Sequence, residues 1–426
     1  MLNKVSRSPY LLFLPFLCFY FYYIHKYRYP QLYGDEPRYI GFAQNLLHGF
    51  YSPPAPGINL WNGPGYPIIL APFIALHIPG IYLCFLNAVF MYVSVVFLYQ
   101  ACRLFIRKNI ALTAALLWAL YPNMLHICLS VYSEAFTAFL VTGLLFAVAL
   151  FYTRRHKKYL LIAGLILGFI TLTKIVFGYV LPVCLLMSLV AMVFTKWRNN
   201  AQNTALIMLI AFMVTAPYLF YTYKLTHKVY YWGNSGGMSL YWMSTPFDNE
   251  YGDWKEENLH NSTFPLMYGT REGDSLLRKN HQQDINLVSK YAGVQRDSAY
   301  KAIAIQNIRQ HPKKYIRNYY CNLARMLFDF PYSYYYHNDP EITNILTGSL
   351  LLWASVIGLV VSLVNYRQLV YPVKFCLLVT GIYLLLSGLL SAYPRQLDVV
   401  APLLLFWLVF VAEIVLVNRR KRHPMV

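Results

Sequence analysis

Apolar residues run through this chain in long blocks joined by short basic connectors. The blocks cover residues 10–24, 81–102, 109–125, 133–152, 159–173, 175–194, 203–223, 342–364, 373–392 and 396–417. Several reach the ~20 residues that a helix needs to cross a bilayer. The pattern predicts an all-α integral membrane protein, a polytopic helical bundle of about ten transmembrane helices. His25, Lys26 and Arg28 follow the first block with no small-residue cleavage site, so it reads as a retained span rather than a signal peptide. Two stretches break the pattern. The loop 25–80 carries an apolar piece, 66–76, too short to span and read as an interfacial segment. The region 224–341 is polar. Its first half, Trp232 to Asp274, mixes Gly, Tyr, Trp and acids and reads as irregular loop. In its second half Ala302, Ile305 and Ile308, then Tyr315, Ile316, Tyr319, Leu323 and Met326, form apolar stripes. Arg309, Lys313, Lys314, Arg317 and Arg325 are placed on the polar side, as in amphipathic helices lying along the outer leaflet. Three regions result: 1–223 with the outer loop 25–80, then 224–341, then 342–426 with a basic tail.

Charge tests this topology. With the N-terminus in the cytoplasm, the inner connectors are Arg103–Lys108, Arg154–Lys158, Lys196–Arg198, Arg367 and Arg419–Arg422. All are basic and none contains an acid, as the positive-inside rule requires. Every acid except Glu413 falls outside or near an outer helix end. The net charge of +19 is thus explained by sidedness, without nucleic acid. Both termini are expected in the cytoplasm and 224–341 outside. Short loops without appended domains suit a bacterial cytoplasmic membrane. The seven Cys are scattered with no metal-ligand spacing, so neither a zinc site nor a disulfide framework is expected.

Against this background a few charged residues stand out. Asp35 and Glu36 open a short amphipathic helix in the first outer loop. Either they cap that helix, or an ionised carboxylate there takes a proton from an acceptor hydroxyl. Arg38, one turn on, is a phosphate ligand or a partner for Glu36. Glu134 enters a span from the outside, which is costly for an acid; the alternative is that Ser133 and Glu134 cap the helix. Lys174 lies between two spans on the outer side, either snorkelling or serving as a phosphate counter-charge. Arg395 opens the last span where the helix dipole disfavours a cation. A lipid-borne phosphate or Asp398 would explain it. His227, His260, His311 and His337 have no partner at ligand spacing.

Together these motifs resemble the GT-C glycosyltransferases, in the branch of protein O-mannosyltransferases and bacterial aminoarabinose transferases. The resemblance rests on Gly34-Asp35-Glu36-x-x-Tyr39, Asn62-Gly63-Pro64-Gly65-Tyr66-Pro67, Tyr132-Ser133-Glu134, Leu172-Thr173-Lys174, Ile308 to Tyr315 and Tyr393-Pro394-Arg395. It implies a GT-C fold and transfer of a sugar from a polyprenyl-phosphate donor to an acceptor hydroxyl of a glycan, lipid or protein at the outer face. It makes Asp35 the base. Glu36 and Glu134 would shape the site. A divalent metal ion, if one is needed, would be held by Asp35 and Glu134. Lys174 and Arg395, with Arg38, would hold the donor phosphate, and displacement would invert the anomeric centre. Trp61 and Asn62 stand where aminoarabinose transferases carry Glu-Lys, which argues against that sugar. The short outer region argues against protein O-mannosylation. The competing reading is a transporter or flippase of a lipid-linked sugar, which calls for polar or broken helices at mid-membrane depth. A non-catalytic scaffold would leave Asp35, Glu134 and Arg395 unrelated. The enzyme reading requires Asp35, Glu134, Lys174 and Arg395 to converge on one outer cavity open to the bilayer.

Overall fold

A computed structural model describes residues 8–255, 271–334 and 340–422, and they are helical with connecting loops. The helices run α1 Pro9–Tyr27, α2 Glu36–Leu47, α3 Gly65–Ala75, α4 Leu86–Arg103, α5 Lys108–Ala119, α6 Pro122–Ile127, α7 Ser133–Arg154, α8 Lys157–Thr173 and α9 Val176–Ala191. They continue with α10 Arg198–Thr226, α11 Gly236–Met243, α12 Arg271–Val288, α13 Gly293–Gln310, α14 Pro312–Phe328, α15 Pro340–Val364, α16 Tyr371–Ser387 and α17 Pro394–Arg422. Five stretches are long and apolar enough to cross a membrane: Gly80–Arg103, Ser133–Arg154, Arg198–Thr226, Asn344–Val364 and Pro394–Asn418. The protein is therefore a multi-pass integral membrane protein. Other expected spans fall on shorter helices, such as α9 with 16 residues and α16 with 17. The span expected over 109–125 is interrupted. α5 ends after 12 residues, and Pro122 starts the separate α6, because a proline cannot donate to the preceding turn.

Burial separates central from peripheral helices. In α7, 78% of the spanning window is buried, against 17% in α15. So α7 is the apolar axis of the bundle and α15 presents its leucines and valines outward, as a lipid-facing helix does. α7 packs on α4, α8 and α17. α1 packs on α4 through Phe13, Tyr20 and Ile24, and the Tyr20 hydroxyl donates to Ala119 O at 2.8 Å. The one acid out of place in the charge pattern, Glu413, is neutralised: its Oε1 lies 2.7 Å from Arg107 Nε.

The polar region forms a second layer over one end of the bundle. The segment expected to be irregular contains α11, which packs on α13. Met238, Tyr241, Trp242, Leu277, Val288, Tyr300 and Ala304 make its core. Beside that core sits a buried polar knot. His281 Nε2 lies 2.8 Å from Glu250 Oε2, and Tyr241 Oη lies 2.7 Å from His281 Nδ1 while donating to Asp284 Oδ2 at 2.9 Å. The amphipathic stretch is two helices, α13 and α14, broken at His311-Pro312. Arg325 does not sit on a polar outer side. It is fully buried and donates to the carbonyls of Pro331 and Tyr251, each at 2.8 Å. Asp253 lies beside it, with Oδ2 2.7 Å from Lys255 Nζ. Burial would push the Asp253 carboxyl up, but the Lys255 and Arg325 charges outweigh it and hold it at about 2.

Candidate active site

The first outer loop reaches the bundle through close backbone contacts. Gly34 has φ +61°, and a side chain there would run into the Tyr132 hydroxyl. A Cβ on Gly63 would strike the Leu172 carbonyl, and one on Gly65 would strike Thr173. Glycine at these places lets the loop 62–65 lie directly on the end of α8, beside Lys174. The start of α2 is thereby fixed against the start of α7.

Glu36 makes that joint. Its Oε2 accepts the Tyr33 amide at 2.8 Å and its Oε1 accepts the Val131 amide at 2.6 Å. Both oxygens are spent on backbone, the residue is 4% exposed, and it does not line the cavity described below. Glu36, which the resemblance implies helps shape the site, clamps the first outer loop to the entry of α7.

Asp35 occupies the N-cap position of α2 but makes no side-chain cap bond. Its Oδ1 accepts from Arg38 Nη2 at 2.7 Å and its Oδ2 from Arg395 Nη1 at 2.9 Å. Arg38 therefore pairs with Asp35, not Glu36. Arg395 reaches Asp35 rather than Asp398, which instead accepts from Tyr121 at 2.6 Å and Asn123 at 3.2 Å. Burial would push the Asp35 carboxyl up, but the guanidinium charges of Arg395 and Arg38 outweigh it and hold it below the usual range. Glu134 makes no cap either. Its Oε1 lies 2.7 Å from Lys174 Nζ, so Lys174 folds back onto the acid rather than snorkelling away. Ser133 is hydrogen bonded to Tyr39 Oη at 3.0 Å.

Asp35, Arg38, Lys174 and Arg395 line one cavity of 220 Å³, together with Tyr39, Trp61, Asn62, Thr173, Trp254 and Tyr393. Glu134 reaches it through Lys174. Asp35, Lys174 and Arg395 thus meet at one cavity with Arg38, and Glu134 lies behind Lys174. Three buried atoms around this cavity have no hydrogen-bond partner: Arg38 Nη1, Asn62 Oδ1 and Glu134 Oε2. Each such atom costs about 1–3 kcal/mol if left so, and a polar ligand would satisfy them. The donor set does not fit a divalent cation. Both Asp35 oxygens and one Glu134 oxygen face protein cations, and among the described residues no three His, Cys, Asp or Glu side chains gather.

Of the histidines considered, His227 and His311 line neither this cavity nor the larger one beside it; His260 and His337 lie outside the described residues. Sequence reasoning did not assign the site Tyr39, Asn62, Trp254 or Tyr393. Tyr39 had a signal, since it lies four residues after Asp35 and so on the same helix face. Asn62 donates to the Tyr39 hydroxyl at 3.2 Å, a contact across 23 residues with no local signature.

Comparison with known proteins agrees with this picture at the level of fold. Residues 62–221 match the family of dolichyl-phosphate-mannose-protein mannosyltransferases. That segment holds Glu134 and Lys174 but neither Asp35 nor Arg395. No sequence among the curated proteins matches the chain. Among solved structures, the archaeal oligosaccharyltransferase AglB from Archaeoglobus fulgidus, in complex with an inhibitory peptide and a dolichol-phosphate, superimposes with a TM-score of 0.51. Identity is 14%, over 97% of this chain and 51% of that one, so the chain spans about half the length of that relative. ArnT from Cupriavidus metallidurans, bound to undecaprenyl phosphate, gives 0.41 at 13% identity over 97% and 78% of the two chains. The chain is a helical membrane protein that shares its fold with the archaeal oligosaccharyltransferase.

Proposed function

We propose that this protein transfers a sugar from a polyprenyl-phosphate donor to an acceptor hydroxyl at the outer face of a bacterial cytoplasmic membrane, with both termini in the cytoplasm. The observation that carries the reading is Asp35, free of any capping role, set between two guanidinium groups in a cavity that Lys174 also lines. The matched mannosyltransferase family and the dolichol-phosphate in the oligosaccharyltransferase complex support a lipid-phosphate donor.

In this reading Asp35 takes the proton of the acceptor hydroxyl. The acceptor oxygen attacks the anomeric carbon as the bond from that carbon to the phosphate oxygen breaks. The electron pair leaves with the polyprenyl phosphate, and the displacement inverts the centre. Arg395 and Lys174 face the developing phosphate charge, where fixed cations in a poorly hydrated cavity act strongly. Both cations are paired with carboxylates before the donor arrives. The Arg395 side chain is 41% exposed and can turn to a phosphate. Turning removes a cation from Asp35 and makes it a stronger base. Binding of the donor thereby arms the acceptor's base.

The test is genetic and chemical together. Deleting the gene should remove one sugar from an envelope glycan or glycolipid, read by mass spectrometry. The wild-type gene should restore it and Asp35→Asn should not. Removing a general base lowers rate by about 10²–10⁴. Full restoration by Asp35→Asn would eliminate Asp35 as the base.

A further inference from the structure

Next to the catalytic cavity lies a larger one of 570 Å³, a size typical of small-molecule sites. Arg38, Trp61 and Trp254 line both, so the two meet at the catalytic loop. The remaining wall of the larger cavity comes from residues 57–59, 234–238 and the start of α13. None of these belongs to a membrane-spanning stretch. The wall is therefore built from the outer loops and helices rather than from the long apolar spans.

The wall combines the rings of Trp61, Trp254 and Tyr300 with the Asn59 amide and the guanidinium groups of Arg38 and Arg296, while the Asn234 amide is spent on Leu60 N and Ile58 O. A sugar ring has an apolar C–H face that stacks on an indole and a rim of hydroxyls that amides can bind. Both indoles are held from behind. Trp61 and Trp254 pack on the core of Met238, Tyr241, Trp242 and Tyr300. The Trp61 amide donates to Asn59 Oδ1 at 3.2 Å, and the Trp254 carbonyl accepts the Tyr393 hydroxyl at 2.9 Å. Asp297, the acid in this wall, has Oδ1 on the Gly237 amide and Oδ2 on the Tyr231 hydroxyl. It shapes the wall and does not select a cationic ligand. The link to the reaction is Arg38. Its guanidinium lies 5.1 Å over the Trp61 ring and is paired with Asp35, while its buried Nη1 has no hydrogen-bond partner.

We propose that this cavity binds the acceptor and that the acceptor is a carbohydrate: a glycan entering from the aqueous side, with one hydroxyl passing Arg38 toward Asp35. The inference rests on the transferase reading and narrows its acceptor to one chemical class. The test uses the full chain in lipid nanodiscs and saturation-transfer NMR. The probes are maltotriose, cellotriose, mannotriose and triacetylchitotriose, with a Ser/Thr-containing octapeptide beside them. At least one trisaccharide should bind saturably. Trp61→Ala and Trp254→Ala should each weaken it by about tenfold, as loss of a buried indole anchor does, and Trp254→Phe should retain most of it. Asp35→Asn should bind the same sugar while failing to transfer. The proposal is overturned if no trisaccharide binds, if binding survives both alanine variants, or if only the peptide binds in a Trp254-dependent way. Binding of undecaprenyl phosphate is measured in the same nanodiscs. If it persists and is lost in Arg395→Ala, failure with sugars sinks this inference alone. If lipid binding is absent while sugar binds, the donor reading fails instead.

Discussion

Replacing Lys174 by Met leaves the Glu134 carboxylate buried without its cation. The pair lies at 2.7 Å, with Glu134 1% and Lys174 20% exposed, and Glu134 Oε2 already lacks a partner. At that separation and an effective dielectric of ~20 the Coulomb attraction is about 6 kcal/mol. Desolvation of two ions offsets part of it, and solvent at the exposed fifth of Lys174 screens more. The expected cost of Lys174→Met is about 3 kcal/mol, at the low end for removing one member of a buried pair. Glu134→Gln/Lys174→Met removes both charges at similar shape and should cost only about 1 kcal/mol. The two single variants and the double form a thermodynamic cycle, measured by SDS-driven unfolding in mixed micelles at neutral pH. With Glu134→Gln alone costing about 1 kcal/mol, because the partly exposed Lys174 can turn to solvent, the coupling should be about 3 kcal/mol. A Lys174→Met variant no less stable than the double variant would refute the pairing and the placement of Glu134 beside the cavity.

Three further outcomes follow from the geometry. Gly63→Ala should destabilise by about 1–3 kcal/mol, as overpacking does, and lower transfer, since its Cβ meets the Leu172 carbonyl; Gly41→Ala, inside α2 with open space around it, is the control that should melt at or slightly above wild type. Asp253 is held at about 2 against an ordinary 3.8. Its depressed value means that it contributes about 2 kcal/mol above roughly pH 4. That contribution fades as pH falls toward 2. Asp253→Asn should flatten the acid limb of the thermal melting profile. Glu250→Gln should loosen α11 and α12, raising their amide hydrogen exchange while leaving α7 protected. It removes the carboxylate to which His281, Asn280 and Tyr334 are hydrogen bonded.

Much of this protein was legible in order along the chain. Long apolar blocks have one solution in a bilayer, a helix that satisfies its own backbone, so α4, α7, α10, α15 and α17 follow from composition. The basic connectors gave consistent sidedness, which put Asp35, Glu134, Lys174 and Arg395 on one face before any coordinates. What sequence could not decide was pairing. Glu36 beside Arg38 and Asp398 beside Arg395 are the local partners the sequence offers, yet Arg38 turns to Asp35, Arg395 crosses 360 positions to Asp35 and Asp398 turns to Tyr121. Glu36 and Asp35 were equivalent as adjacent acids. Helix geometry points neighbouring side chains about 100° apart, and only the packing of α2 on the entry to α7 sends one to backbone amides and the other to the cavity. Arg325 was placed outside by its charge, but buried carbonyls from three other segments receive it. Composition and periodicity thus determined the membrane helices and set the expectation of one face for the charges. Which charge meets which, and the cavity between them, depended on long-range packing, because charge pairing acts across space and leaves no periodic trace in the chain.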